Sequence, residues 1–199
     1  MKGIIFVLLE DFLVERLGAK DYEAMIAACG LKTRDPFQVH QTYPDDDLFK
    51  ILLNAADRLS LGLSDVLRHF GEFCFPCLVR RYPVFVQPYD HPKPFIQSVQ
   101  RIIHVEVRKL YPDAETPIFR YQDPAPDRLI IEYESKRRLC HFMEGIIKGV
   151  ETHFRCPIRV RQSRCVHTGH PVCEFELIFA SPTPPTSGSP SHGNPPDFR

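Results

Sequence analysis

The sequence predicts an α+β fold: a helical N-terminal subdomain packed on a C-terminal subdomain built from a four-stranded antiparallel sheet and helices. Two observations predict it. Up to about residue 110 the apolar residues recur at helical spacing. After Pro117, four short β-prone runs, near 117–121, 128–133, 158–165 and 173–179, flank one long amphipathic stretch. With 199 residues, 43% of them hydrophobic, the chain can bury a core of ordinary size.

Residues 2–17 read as an amphipathic helix, and 21–29 as a short second one that Gly30 can terminate. After Pro44, Asp45, Asp46 and Asp47 sit in the first turn of a third helix, where the helix dipole favours acids, with Leu48, Leu52, Ala55 and Leu59 as its apolar stripe. Ser64 opens a fourth, burying Val66, Leu67, Phe70, Phe73 and Cys74. Pro83, Pro88, Pro92 and Pro94 break the chain before a helix over 95–110. The first two strands join through the turn-rich 122–127. A helix over 136–154 then carries the stripe Leu139, Phe142, Met143, Ile146, Ile147, Val150 and Phe154. Residues 1–180 thus read as one domain, with 1–63 helical and 64–180 bearing the sheet. Pro, Ser, Thr, Gly and Asn dominate 181–199, where a disordered tail is expected.

Charge narrows the function. Lys plus Arg (25) balance Asp plus Glu (25), so no field draws in nucleic acid or a membrane surface. The apolar run 3–9 meets Glu10 and Asp11 and reads as a helix, not an export signal. Seven cysteines, an odd number in a chain without an export signal, point to reduced thiols in a cytoplasmic protein. No catalytic motif stands out, and Cys74-Phe-Pro-Cys77 lacks the βαβ context of a redox dithiol, so the chain is not expected to be an enzyme.

Three groups of residues can carry chemistry. His104 falls on the edge of the stripe Ile96, Val99, Ile103, Val107 and Leu110, where an imidazole can reach a buried cofactor or serve as a hydrogen-bonded structural group. If the chain is extended there, Tyr133, Ser135 and Arg137 point one way, and two hydroxyls with a guanidinium suit a carboxylate-bearing ligand as well as a solvated strand face. Cys140, Cys165 and Cys173 come from a helix start and two neighbouring strands, a gathering that fits a zinc site lacking one ligand.

The opening Met1-Lys-Gly-Ile-Ile-Phe, His104 followed by Leu110-Tyr-Pro and Pro117, the pattern Tyr133-x-Ser135-x-Arg137, and Cys165-x-His167-Thr168-Gly169 together resemble the haem nitric oxide/oxygen-binding (H-NOX) family, in its bacterial stand-alone NO-sensor branch. The resemblance implies haem b between the two subdomains, His104 as axial ligand of the iron, and Tyr133, Ser135 and Arg137 on the propionates. Pro117 would press on the porphyrin and Ile5 would pack its distal side. Oxygen-binding members carry a distal tyrosine where this chain has Phe142, with Leu9 and Cys74 at the supporting positions. A ferrous haem that binds NO and CO but not O2 stably is therefore expected, with NO releasing His104 to signal. The partner implied is a histidine kinase or a cyclic-di-GMP enzyme. Zinc-bearing relatives have a histidine where this chain has Gln162, which leaves His167 or His170 as fourth ligand, or a disulfide among the thiols. The competing reading is a zinc or cysteine redox module on the same fold.

Overall fold

The computed structural model describes residues 1–33 and 36–180. Helices α1 (Gly3–Leu17) and α2 (Ala19–Ala28) meet at Gly18, whose φ of 83° reverses the chain without the clash a side chain would bring. Helix α3 (Asp45–Leu59) begins with its three aspartates. Buried Asp47 accepts from the backbone N–H groups of Lys32 (3.0 Å) and Thr33 (2.9 Å), pinning the preceding loop. Burial drives its carboxyl up, and these two donors outweigh burial and hold it below the ordinary range.

Helix α4 (Leu63–Arg81) runs through Pro76. The helix expected over 95–110 is three pieces: α5 (Pro92–Ser98), a π-helical turn (Val99–Ile103) and α6 (His104–Leu110). Strands β1 (Ile118–Ala125) and β2 (Arg128–Glu134) precede α7 (Cys140–Phe154), and β3 (Ile158–Arg164) and β4 (Cys173–Phe179) follow it. The antiparallel sheet has the order β1-β2-β4-β3. Leu129, Ile131 and Tyr133 of β2 and Cys173, Phe175, Leu177 and Phe179 of β4 alternate inward and are buried. The other face carries exposed pairs such as Arg120–Glu132 and Arg161–Glu176, which contribute little each.

Several boundaries differ from the sequence reading; β1 runs to Ala125, four residues past its expected end and through most of the expected turn. β2 ends at Glu134, so Ser135 and Arg137 do not share a strand face with Tyr133. α7 begins at Cys140, four residues later than expected, because Arg138 takes a left-handed φ of 55° that no helix continues through. The tail expected at 181–199 lies outside the described residues.

Apolar side chains form two clusters. One gathers Phe6, Phe12, Met25, Leu52 and Phe70 among α1–α4; the other packs Phe75, Phe95 and Ile147 against Ile131 and Phe175 of the sheet. α4 and α7 run between them and cross almost in backbone contact. A Cβ on Gly145 would fall 2.0 Å from the Arg68 carbonyl oxygen, and one on Gly71 2.2 Å from that of Phe142. At Gly149 it would meet Phe75 Cβ at 2.5 Å. Gly145→Ala adds helix propensity worth about 1 kcal/mol but forces two backbones apart. We expect its urea midpoint to drop below wild type, while Gly62→Ala, whose new Cβ meets nothing nearer than 3.4 Å, leaves it unmoved. A Gly145→Ala midpoint at or above wild type would contradict the crossing.

Candidate functional site

A cavity of about 460 Å³ opens between the helices and the sheet, well within the range of small-molecule sites. His104, Pro117, Tyr133, Ser135, Arg137, Ile5 and Phe142, drawn from six different segments, all line it. Leu9 and Cys74, expected beside Phe142, are buried in the helical cluster and are not among the lining residues.

His104 opens α6 directly after the π-helical turn, an element found often at functional positions. Its Nδ1 lies 3.3 Å from Gln100 Oε1, which also accepts from the Phe119 backbone N–H at 3.2 Å. A carbonyl oxygen only accepts, so Nδ1 carries the proton and Nε2 keeps its lone pair. Burial first, and the Arg108 charge second, pull the imidazole down to about 4, against the Pro117 carbonyl. The ring is neutral at neutral pH and has the form that ligates a metal through one nitrogen while the other is held.

The polar end of the cavity is built around Arg137, whose side chain is 12% exposed. Nη1 donates to the Glu115 carbonyl at 2.6 Å, and Nη2 faces Glu115 Oε2 at 3.6 Å. Nε pairs with Asp45 Oδ2 at 2.8 Å, a contact off the ideal N–H direction. Asp45 meanwhile accepts from the Met1 ammonium at 2.6 Å. Burial pushes the Tyr133 phenol up to about 12, with the Ser135 hydroxyl bonding it in opposition. A guanidinium beside two hydroxyls is a receptor for an anionic group, and a carboxylate-bearing ligand fits it in competition with Asp45 and Glu115.

The wall that the long helices contribute is apolar. Every lining side chain from α1, α3, α4 and α7 is hydrocarbon or thioether, among them Ile5, Leu67, Phe70, Phe142 and Met143. Phe142 packs on Phe70 with ring centroids 5.1 Å apart.

Away from the cavity, Cys140, Cys165 and Cys173 do converge: their sulfurs lie within 4.8 Å of one another, with Cys140 and Cys165 at 3.9 Å. Burial first, then the neighbouring thiols, pushes Cys140 up to about 12. His170 is not in this group. His167 joins Cys140 and His141 in a separate one, without Cys165 or Cys173. Gln162 faces a groove between α7 and β3. His141 does not line the cavity; it contacts Arg68, Glu144 and His167. Cys74 is a buried packing thiol that burial raises well above its usual value, and Cys77 accepts from Arg80.

Sequence reasoning missed Gln100, Glu115 and Asp45. Gln100 stands one helical turn before His104, the one local signal available; Glu115 and Asp45 reach Arg137 only through tertiary folding.

A pocket with one neutral, oriented imidazole, an anion receptor at one end and a hydrocarbon wall defines a cofactor-binding domain. A family model described as haem-NO-binding matches residues 2–162. An H-NOX protein from S. oneidensis, solved in its Fe(II)NO state, is 31% identical, with 91% of this chain and 100% of that one aligned and a TM-score of 0.85. The Fe(II) unliganded H-NOX protein from K. algicida aligns over 92% of this chain and 98% of its own at 26% identity and TM-score 0.84. An I5F mutant of T. Tengcongensis H-NOX, at 18% identity and TM-score 0.81 over 92% and 99% of the two chains, has the same fold. A search of curated protein sequences gave no match. The chain belongs to the haem-NO-binding, or H-NOX, family, a family of haem-based gas sensors.

Gln100 is the hinge pin of the imidazole. Gln100→Leu strands the Phe119 N–H and removes the acceptor beside His104 Nδ1, which we expect to cost about 1–3 kcal/mol in urea unfolding. Gln100→Glu, which keeps an acceptor, should recover most of it. Equal losses for the two variants would mean that the acceptor is not what matters.

Proposed function

We propose that this chain is an NO sensor that holds haem b through His104 Nε2 and reports to a separate partner protein. The haem would supply a ferrous iron able to bind diatomic gases. Arg137, Ser135 and Tyr133 receive the propionates, and their gathering on one cavity supports this assignment. Pro117 and Ile5, which line the same cavity, would pack its two faces.

The observation that carries ligand choice is Phe142 against Phe70, on a wall where α1, α3, α4 and α7 contribute no hydrogen-bond donor. Bound oxygen depends on a donor to its outer atom; NO does not. A missing charge-assisted bond is worth about 1.5–3 kcal/mol, so the protein discriminates against oxygen by leaving a hydroxyl out. Relatives solved with NO and with CO make both gases reasonable ligands. Output runs through His104: its side chain is tied through Gln100 to β1, and a shift at the head of α6 changes how that helix and the π-helical turn seat on the sheet. H-NOX domains are sensors, and the partner is a histidine kinase or a cyclic-di-GMP enzyme acting in trans. No helix among the described residues is long and apolar enough to cross a membrane, in keeping with a cytoplasmic site of action.

A second reading rests on the three converging thiols, which suit zinc or a disulfide-based redox response.

Reduced protein should show a Soret band that shifts with NO and with CO, and none characteristic of O2 in air. Phe142→Tyr should strengthen oxygen binding by roughly ten- to a hundredfold, the equivalent of one such hydrogen bond. A stable oxygenated spectrum of the wild type would sink the ligand assignment; colourless protein that does not take up added haem would sink the whole reading.

A further inference from the structure

Cys140 Sγ belongs to two sets of three donor atoms, each set within 4.8 Å: one with Cys165 and Cys173, the other with His141 and His167. The second set has a supporting shell. A histidine that binds a metal through one ring nitrogen is oriented by a hydrogen bond from the other, to a carboxylate or a backbone carbonyl. His167 has that partner, and His141 has a carboxylate within reach of it. His167 Nε2 lies 3.0 Å from the Arg138 carbonyl oxygen, so Nε2 is the protonated nitrogen and Nδ1 keeps its lone pair. His141 Nδ1 lies 3.3 Å from Glu144 Oε2 and 3.2 Å from Arg68 Nη2. Arg68 only donates, so its contact belongs to the metal-free ring; a metal on Nε2 fixes the proton on Nδ1, and Glu144 is in position to accept it once the Arg68 Nη2–H turns away. That carboxylate is itself held by Arg68 Nε at 2.6 Å. The two rings stand nearly parallel, 8° apart, with centroids separated by 5.7 Å.

We propose that Cys140, His141 and His167 form a site for a zinc-class divalent ion, distinct from the thiol triad, with Glu144 and the Arg138 carbonyl orienting the two imidazoles. One thiolate and two imidazoles are the borderline-soft donors such an ion prefers. Donor atoms around tetrahedral zinc are about 3.3–3.8 Å apart, so the present separations close by small side-chain rotations. Cys140 is buried and His167 exposed, which leaves the fourth position open to water or to a donor from another molecule. On binding, the ion replaces the proton on Cys140 Sγ, and that proton leaves to solvent. The bound ion ties the first turn of α7 to the turn 166–168 between β3 and β4, and the Arg68–Glu144 pair extends the tie to α4.

The test is equilibrium dialysis of the reduced, cofactor-bearing protein against Co2+ and Zn2+, with metal analysis and a Zn2+-displaceable thiolate-to-Co2+ absorption band. One ion per chain is expected. His141→Ala and His167→Ala, checked for folding by circular dichroism, should abolish tight binding. Glu144→Gln should weaken it by about ten- to a hundredfold. Cys165→Ser and Cys173→Ser should leave affinity unchanged. The proposal is overturned by no uptake, by binding indifferent to both histidine variants, or by binding that falls with Cys165→Ser or Cys173→Ser, since the ion would then sit on the thiol triad.

Discussion

The near-contact of α4 and α7 is the constraint on which the rest of the molecule depends. Gly71 and Gly145 let the two backbones approach where any Cβ would strike a carbonyl oxygen, and Gly149 admits the Phe75 side chain. That approach brings Phe70 onto Phe142 and Arg68 onto Glu144. It also joins the two hydrophobic clusters, since Phe75 belongs to the sheet-side cluster while Phe70 belongs to the helical one. Moving the helices apart by a methyl group would therefore disturb a cavity wall, an ion pair and the seam between cores together.

A second constraint acts from the other side of the cavity. The π-helical turn 99–103 places Gln100 where one amide oxygen serves both His104 and the backbone of β1. Tyr121 adds a bond from its hydroxyl to the Ile96 carbonyl at 2.8 Å. The segment that carries His104 is thus fastened to the sheet edge at two points, and the imidazole inherits its orientation from the sheet more than from its own helix.

Much of this was legible in the sequence. Long amphipathic stretches and four short β-prone runs gave the elements, and the ordered set of His104, Pro117, Tyr133, Ser135 and Arg137 marked residues that line one cavity. What was hidden has physical reasons. The π-helical turn changes hydrogen bonding but hardly changes apolar periodicity, so 95–110 reads as one helix. Ser135 and Arg137 reach the cavity through a loop whose left-handed Arg138 has no signature, since arginine rarely adopts that conformation. The glycine crossing was obscured because a stripe analysis weighs large apolar residues and passes over Gly145 and Gly149. Asp45 and Glu115 come to Arg137 from distant segments, which no local pattern reports.

The first turn of α7 concentrates these themes. Cys140 points into the thiol group, His141 toward Arg68 and Glu144, and Phe142 into the cavity. Successive helix residues are separated by about 100°, so three consecutive side chains must face three environments. A helix that began at Lys136, as periodicity suggested, would continue its regular backbone through 136–139. The left-handed turn at Arg138 instead starts the helix at Cys140, frees the Arg138 carbonyl to meet His167, and leaves Arg137 outside the helix, where its guanidinium reaches Asp45 and Glu115. One strained residue thereby lets the polar end of the cavity and the cysteine–histidine cluster be built from adjacent parts of the same short segment.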